Sequence, residues 1–296
     1  MRKVRIGTVS FLMEDGPHTV ERNLALALEY ISEAAANHAD IVCLPETVTT
    51  NKVESGCHAA EHFPGEWTKV FQNAALQRSI AVVAPYYVIA DGITYNQATV
   101  FARDGTIAGF YRKVQPTGWE ARSASPGSEL PLIKMEFGKI AVMICMDIYF
   151  PEIARIYAMK GAEILFWPTI THGPSQSGLE AQIRSRAMDN SLVIVESNLS
   201  AEPPYAPYKG RFYPGTARIV DHNGDIIAFT GRRPGLTYAD IDLDEPRKTL
   251  DCFLIEDADK TRQDVESLVR MDLYAKEYAA LAEKQTRFYD TIAKRK

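Results

Sequence analysis

Three polar side chains that could act together in nucleophilic catalysis each close an apolar stretch of the sequence. Glu46 ends the segment DIVCLPE, Lys113 ends TIAGFYRK, and Cys145 ends KIAVMIC. A thiol becomes a strong nucleophile when a neighbour accepts its proton or stabilises the thiolate. A carboxylate at Glu46 can be that base, and an ammonium at Lys113 can stabilise the thiolate and the oxyanion that forms after attack.

A second carboxylate near the first would help to tune such a base, and Glu120, seven residues after Lys113, is the candidate. Taken singly, each of these residues also has an ordinary structural explanation. Buried cysteines are usually inert, and a lysine beside Arg112 is commonly a surface cation. Glu46 and Glu120 could both lie in solvated loops. Only their combination points to chemistry.

The elements around these residues predict a layered α/β fold in one domain. VRIGTVSF and DIVCL are predicted strands, and between them apolar residues recur at helical spacing. Hairpin strands follow over 80–113, and further helices are predicted near 66–79, 152–160 and 176–190. Open α/β sheets place ligand crevices at the carboxyl ends of their strands. Residues about 100 positions apart in the sequence could therefore meet there.

Composition narrows the classes of partner. The chain has 296 residues, of which 46% are hydrophobic and 24% charged, and its net charge is −5 without a long basic run. We therefore expect no nucleic-acid partner and no binding to an anionic membrane. No apolar run approaches the roughly 20 residues of a membrane helix. The four cysteines are irregularly spaced, which favours free thiols in a reducing cytoplasm.

The motifs LPET, YRKVQP and ICMDIYFPE, in this order, resemble those of the nitrilase superfamily of carbon–nitrogen hydrolases. The similarity runs from about residue 4 to 244 and includes the segments RSRAMDN and GTARIVDHNGDIIA. The resemblance implies a four-layer α-β-β-α sandwich and a homodimer or larger homo-oligomer. It also implies a cysteine thioester intermediate, with neither a metal nor an organic cofactor.

The resemblance also implies a role for each matching residue. Cys145 corresponds to the nucleophile, Glu46 to the general base and acid, and Glu120 to a second, orienting glutamate. Lys113 corresponds to the residue that stabilises the oxyanion, together with the backbone N–H of Met146.

Two more positions match the family near the nucleophile. Asp147 and Arg155 correspond to supporting residues, and we expect an ion pair between them beneath the turn that carries Cys145.

The type of C–N bond is the harder choice. The segment CMDIYFPE is similar to amidase and carbamoylase branches, whereas PTGWE is similar to the nitrilase version of the lysine segment. The nucleophile turn lies closest to the reacting atoms, so it carries more weight. We therefore expect a small amide or N-carbamoyl compound as the substrate, with a nitrile as the alternative.

Three other interpretations remain open. Cys57, His58 and His62 could bind zinc if the two histidines shared a helix face, although a third ligand is not evident and we expect no metal. His172 could replace Glu46 as the base of a Cys–His hydrolase. The chain could also be a non-catalytic binding member of the fold.

The last part of the chain, residues 245–296, is predicted to be an extension of the domain. Its apolar residues at helical spacing include Tyr274, Tyr278, Leu281, Phe288 and Ile292. Such a stripe usually packs against something, either its own domain or a partner subunit.

Overall fold

A computed structural model describes residues 2–13, 17–171, 176–201, 215–245 and 269–285. The described helices are α1 (Val20–Ala36), α2 (Glu66–Arg78), α3 (Pro151–Met159), α4 (Gln176–Asn190) and α5 (Met271–Ala282). The described strands are β1 (Lys3–Met13), β2 (Ile41–Cys43), β3 (Glu61–His62), β4 (Ala81–Ala90), β5 (Ile93–Phe101), β6 (Ile107–Arg112), β7 (Ile133–Lys134), β8 (Lys139–Val142), β9 (Ile164–Pro168), β10 (Val193–Ala201), β11 (Arg218–Val220), β12 (Ile226–Phe229) and β13 (Gly235–Asp242).

The strands form two half-sheets that are joined at one corner. They pair in the order β6-β5-β4-β2-β1-β10-β9-β8-β7, and β13 pairs with β1, β3 with β4, β11 with β10 and β12 with β11. The junction is short, because β1 pairs with β10 only from Ser10 to Met13. Along most of its length β1 pairs with β13 instead. The half-sheet β6 to β1 can therefore fold over the half-sheet β10 to β7.

Three apolar clusters separate four layers of secondary structure. The middle cluster contains Ile41 and Val83 from one half-sheet and Ile140 and Phe166 from the other. One outer cluster joins α1 and α2 to the first half-sheet, and the other joins α3 and α4 to the second. This arrangement confirms the predicted α-β-β-α sandwich.

The sequence of β8 shows why the chain folds this way. Ile140 and Val142 belong to the middle cluster, whereas Ala141 and Met143 belong to the outer cluster with α3 and α4. Successive side chains of a strand point to opposite faces, so a strand buried on both faces needs a continuous apolar run. The run KIAVMIC meets that requirement and ends in the polar turn that follows.

The predicted C-terminal helix is confirmed over Met271–Ala282. Its Tyr274, Tyr278 and Leu281 side chains are exposed, while the Tyr278 hydroxyl donates a 2.8 Å hydrogen bond to Glu152 on α3. Phe288 and Ile292 lie outside the described residues. The one-domain interpretation stays a prediction. Within the described ranges, no helix has the length and apolar character needed to cross a membrane.

Candidate active site

Cys145 lies on a sharp turn between β8 and α3. A 3-10 helix runs from Cys145 to Tyr149, and Pro151 is the first residue of α3. The φ of Cys145 is +46°, a left-handed conformation that residues with a side chain rarely adopt. Strained backbone of this kind is concentrated at functional sites. The turn leaves Cys145 partly exposed at the end of a buried strand.

Lys113 is buried between two carboxylates. It follows the last residue of β6, and only 3% of it is exposed. Its Nζ donates to Glu46 Oε1 at 2.7 Å and to Glu120 Oε2 at 2.8 Å. A lysine is almost never fully buried unless it is paired. The interpretation of Lys113 as a surface cation is therefore wrong.

The carboxylate of Glu46 is held from both sides. Its Oε1 accepts hydrogen bonds from Lys113 and from Asn96 Nδ2, the latter at 2.8 Å. Its Oε2 accepts the backbone N–H of Ile170 at 3.1 Å. The side chain thus keeps one orientation, with the turn after β9 on one side and the buried ammonium on the other.

The backbone beyond Glu46 is anchored as well. Thr47 has a φ of +46°, which is an outlier for a β-branched residue. Asn51 Nδ2 donates to the Glu46 carbonyl at 3.1 Å, and the Thr47 hydroxyl donates to Asn51 Oδ1 at 3.2 Å. Asn23 on α1 in turn donates to the Asn51 carbonyl at 2.9 Å. Helix α1 therefore supports the turn that presents Glu46.

Glu120 is the more fully satisfied of the two glutamates. It begins a short 3-10 helix and is 1% exposed. Besides Lys113, its donors are Asn96 Nδ2 at 2.8 Å, the Tyr87 hydroxyl at 3.2 Å and the backbone N–H of Thr117 at 3.1 Å. Both carboxylate oxygens of Glu120 thus accept two hydrogen bonds each, and these bonds fix the positions of the donor groups.

The sequence interpretation missed Asn96, Tyr87 and the backbone N–H of Ile170. Asn96 was detectable in principle, because it shares one face of β5 with Ala98 and Val100, which are buried in the middle cluster. A polar residue at such a position must find hydrogen-bonding partners. Tyr87, opposite Asn96 across the β4–β5 ladder, and Ile170 carry no comparable signal.

The electrostatics favour a protonated thiol beside a charged lysine. Burial and the negative charge of Glu46 raise the pKa of Cys145 to about 12, opposed by Lys113 and by hydrogen bonds from Thr169 and Ile170. Burial lowers the pKa of Lys113, but the charges of Glu46, Cys145 and Glu120 outweigh it and hold that pKa well above its ordinary value. If this sulfur is the predicted nucleophile, a base must therefore take its proton.

The backbone N–H of Met146 lies in the first turn of the 3-10 helix that starts at Cys145. N–H groups in the first turn of a helix have no partner within it. The Met146 N–H can therefore donate a hydrogen bond to a substrate oxygen next to the Cys145 sulfur. The oxyanion role of Met146 stays a prediction.

Asp147 is fully buried beneath the turn and supports it, but not through Arg155. Its Oδ2 accepts the Ile144 N–H and the Tyr111 hydroxyl, both at 2.7 Å, and its Oδ1 accepts the Gln115 N–H at 3.0 Å. Among the described ion pairs, none joins Asp147 to Arg155, so that expectation is wrong. Neutral donors from the lysine segment and from the strand before Cys145 take the place of the cation.

The buried Asp147 predicts a pH-dependent stability. Burial raises its pKa from 3.8 to about 6, against hydrogen bonds from Ile144 and Tyr111 that lower it. Protonation therefore stabilises the folded state; the contribution is complete below pH 4 and disappears as the pH rises through 6. Between pH 5 and pH 7 we expect the wild type to lose on the order of 1 kcal/mol of unfolding free energy relative to Asp147→Asn. Urea unfolding of both proteins at each pH measures this difference, and parallel pH profiles would contradict the prediction.

The structure gives less support to the zinc site, and the base of the Cys–His hydrolase is not among the described residues. Cys57 and His58 lie in a 3-10 helix that ends at Ala59, whereas His62 lies in β3. The two histidines therefore do not share a helix face. Within the described ranges, no group of three or more His, Cys, Asp or Glu side chains could hold a metal ion. His172 lies outside the described residues.

Replacing Lys113 by alanine should impair both catalysis and stability. We expect kcat to fall by about 100-fold or more, because the predicted oxyanion donor is lost. We also expect a loss of about 3–5 kcal/mol of unfolding free energy, because two buried carboxylates lose their counter-ion. Steady-state kinetics and urea unfolding measure the two effects. Lys69→Ala, which breaks an exposed ion pair with Glu66, is the control and should change kcat and stability little. If Lys113→Ala also changed them little, Lys113 would lie outside the site.

Comparison with known proteins identifies the family of the chain. The family model for carbon–nitrogen hydrolases matches residues 13–249. The chain is 31% identical to human omega-amidase NIT2 over 235 residues, which cover 75% of this chain and 83% of the relative. It is 32% identical to the omega-amidase NIT2 of Danio rerio over 236 residues, with the same coverage of both chains.

Solved structures show the same fold. The crystal structure of Saccharomyces cerevisiae Nit3, a member of branch 10 of the nitrilase superfamily, matches with a TM-score of 0.71 at 25% identity, over 81% of this chain and 90% of Nit3. An amidase from Nesterenkonia sp. AN1 matches with a TM-score of 0.77 at 20% identity, over 93% of this chain and 97% of that one. The chain therefore belongs to the carbon–nitrogen hydrolase family of the nitrilase superfamily, as an amidase-type hydrolase.

Proposed function

We propose that the protein hydrolyses a small amide or N-carbamoyl compound through a thioester on Cys145. The observation that carries this proposal is the buried Lys113 ammonium, which is held between Glu46 and Glu120 at 2.7 and 2.8 Å. It lies close enough to Cys145, on a strained turn, for the two groups to interact electrostatically. This cluster unites a nucleophile, a base and an oxyanion donor. Acyl transfer from an amide needs all three.

The first half of the reaction makes the thioester. Cys145 Sγ attacks the carbonyl carbon while Glu46 accepts the thiol proton, and the oxygen becomes an oxyanion that Lys113 Nζ and the Met146 N–H stabilise. When the tetrahedral intermediate collapses, the C–N bond breaks. Glu46 gives its proton to the nitrogen, so ammonia or an amine leaves and the acyl group stays on sulfur.

The second half regenerates the thiol. Glu46 is again a carboxylate and accepts a proton from a water molecule. The oxygen of that water attacks the thioester carbon at the same time. Collapse breaks the C–S bond, and Glu46 returns the proton to the departing sulfur. The products are a carboxylic acid, or a carbamic acid from an N-carbamoyl substrate, and the free enzyme.

The division of labour between the glutamates follows from their contacts. Glu120 accepts four hydrogen bonds and so holds Lys113, Asn96 and Tyr87 in place. Glu46 is the carboxylate whose charge most strongly perturbs the Cys145 pKa. This supports Glu46 as the group that exchanges protons with the sulfur, and Glu120 as its orienting partner.

Amides are favoured over nitriles by the nucleophile segment and by the omega-amidase relatives. The nitrilase-like PTGWE segment keeps nitriles as the second candidate. The test is ammonia release from matched primary amides, N-carbamoyl amino acids and nitriles that share one side chain. Turnover of amides or carbamoyl compounds supports the proposal, and turnover of nitriles alone would replace it with the second candidate. No turnover of any compound would favour a binding protein. The homo-oligomeric state and the cytoplasmic location stay predictions.

A further inference from the structure

A buried ion pair lies outside the proposed catalytic groups. Glu196 on β10 is fully buried, Arg218 on β11 is 2% exposed, and the two residues face each other across the antiparallel ladder. The Arg218 guanidinium contacts Glu196 Oε2, and the Thr216 hydroxyl donates to Glu196 Oε1 at 2.9 Å. Because desolvation offsets most of the attraction in such a pair, stability alone is a poor reason for it.

The pair is connected to Asn198, two residues further along β10. Asn198 Nδ2 donates to Glu196 Oε1 at 3.2 Å, and Asn198 Oδ1 accepts the backbone N–H of Thr171 at 3.2 Å. An ionised carboxylate only accepts hydrogen bonds. Glu196 therefore faces the NH2 side of the Asn198 amide, and Asn198 Oδ1 also accepts the backbone N–H of Leu199 at 2.8 Å. Glu196 and Leu199 together orient the carbonyl side toward Thr171.

Thr171 belongs to the turn after β9, residues 169–171, which also contacts the proposed site. The backbone N–H of Ile170 donates to Glu46 Oε2 at 3.1 Å. Thr169 and Ile170 also lie close enough to the Cys145 thiol to lower its pKa. One face of this turn thus holds the base and the nucleophile, while its other end is held by Asn198.

We propose that Asn198, oriented by the Glu196–Arg218 pair, is a positioning residue for the reaction. It holds the 169–171 turn so that the Ile170 N–H stays on Glu46 and the Thr169 hydroxyl stays near Cys145. Asn198 acts through the turn and does not touch the reacting atoms. This inference rests on the proposed function, because it assigns Asn198 a role in the action of Glu46 and Cys145.

The test compares Asn198→Leu with Asn198→Asp on the best substrate of the wild type. Leucine has a similar size but cannot accept the Thr171 N–H, so we expect kcat to fall by about 10-fold to 100-fold. KM should change little, because the turn holds the base and the nucleophile. Aspartate keeps the acceptor and can share a proton with Glu196, so it should recover most of the activity.

The pH profile separates positioning from loss of folded protein. A carboxylate that loses an N–H donor is protonated more easily. The acid limb of kcat/KM should therefore move to higher pH in Asn198→Leu, with Lys113 and Glu120 still facing Glu46 as in the wild type. Unfolding of part of the sample would lower the amplitude of the profile without moving the limb.

A double variant tests the orienting role of the ion pair. Glu196→Leu combined with Arg218→Met removes both charges, so no buried charge is left unpaired. The Asn198 amide then loses one of the two partners that set its orientation and keeps the Leu199 N–H. We expect this double variant to lower kcat, as Asn198→Leu does.

Ser197→Ala is the matched control, because Ser197 is a buried neighbour whose hydroxyl donates to the Val9 carbonyl at 2.8 Å, away from the turn. It should keep the wild-type kcat and acid limb. Wild-type kcat and an unmoved limb in Asn198→Leu, or in the double variant, would overturn the inference. An inactive wild type would instead refute the proposed function, so the two failures are distinguishable.

Discussion

Cys145→Ala should release no detectable ammonia from any substrate that the wild type hydrolyses. The proposed reaction passes through a bond between the substrate carbon and Sγ, and alanine offers no atom that can form it. The fold should be retained, because the side chain is small and Cys145 lies in the turn beyond β8 rather than within a strand. Ammonia assays and far-UV circular dichroism on purified wild-type and variant protein measure both effects.

Cys57→Ala is the control for this experiment. Cys57 is also a free, partly exposed thiol, but it has no part in the proposed chemistry, so its variant should keep the wild-type kcat. Mass spectrometry after brief incubation with a slowly hydrolysed amide should find the acyl group on Cys145 alone. Turnover by purified Cys145→Ala would refute the thioester mechanism.

Glu46→Gln should lower kcat by about 10²-fold to 10⁴-fold, the range usual for loss of a general base. The raised pKa of Cys145, about 12, means that the thiol does not ionise by itself near neutral pH. Glutamine has the same shape and can still accept hydrogen bonds from Lys113 and Asn96, but it cannot take the thiol proton. Steady-state kinetics and thermal unfolding should show a folded but slow enzyme.

Glu120→Gln is the matched comparison, because it removes the other carboxylate beside the same lysine. Its kcat should fall less than that of Glu46→Gln, and its stability should fall more, since Glu120 is held by more donors. The reverse order of the two kcat values would exchange the proposed roles. Activity that survives in Glu46→Gln but is lost in His172→Ala would favour the Cys–His alternative.

The sequence predicted more of this site than single residues could have justified. Glu46, Lys113 and Cys145 each close an apolar run, and each run contains a strand, β2, β6 or β8. The strands β2 and β8 lie inside the sheet, whereas β6 is an edge strand and is only partly buried. The structure brings Lys113 into contact with Glu46 and Glu120. The pattern worked because strand alternation and strand ends are local properties, which neighbouring residues encode.

The partners of Asp147 show where the local pattern was insufficient. A carboxylate near Arg155 suggested an ion pair, yet Asp147 accepts hydrogen bonds from Tyr111, Ile144 and Gln115 instead. Two of these three donors come from the lysine segment, more than 30 positions earlier. Sequence proximity could not identify them, because the approach of β6 to the turn depends on how the two half-sheets pack.

The sequence by itself predicted a layered α/β fold and placed Glu46, Lys113 and Cys145 at the ends of apolar runs, because periodic burial and residue type are local properties. The four-layer α-β-β-α arrangement and the role of Glu120 came from the resemblance to the nitrilase superfamily. The tertiary structure decided how those groups are held. Asn96 bridges both glutamates, and the Ile170 N–H reaches Glu46 across 124 positions of sequence. Asn198 in turn holds the turn that contains Ile170. Hydrogen bonds depend on distances of a few tenths of an ångström and on which way an amide faces, and only the packed chain sets those quantities.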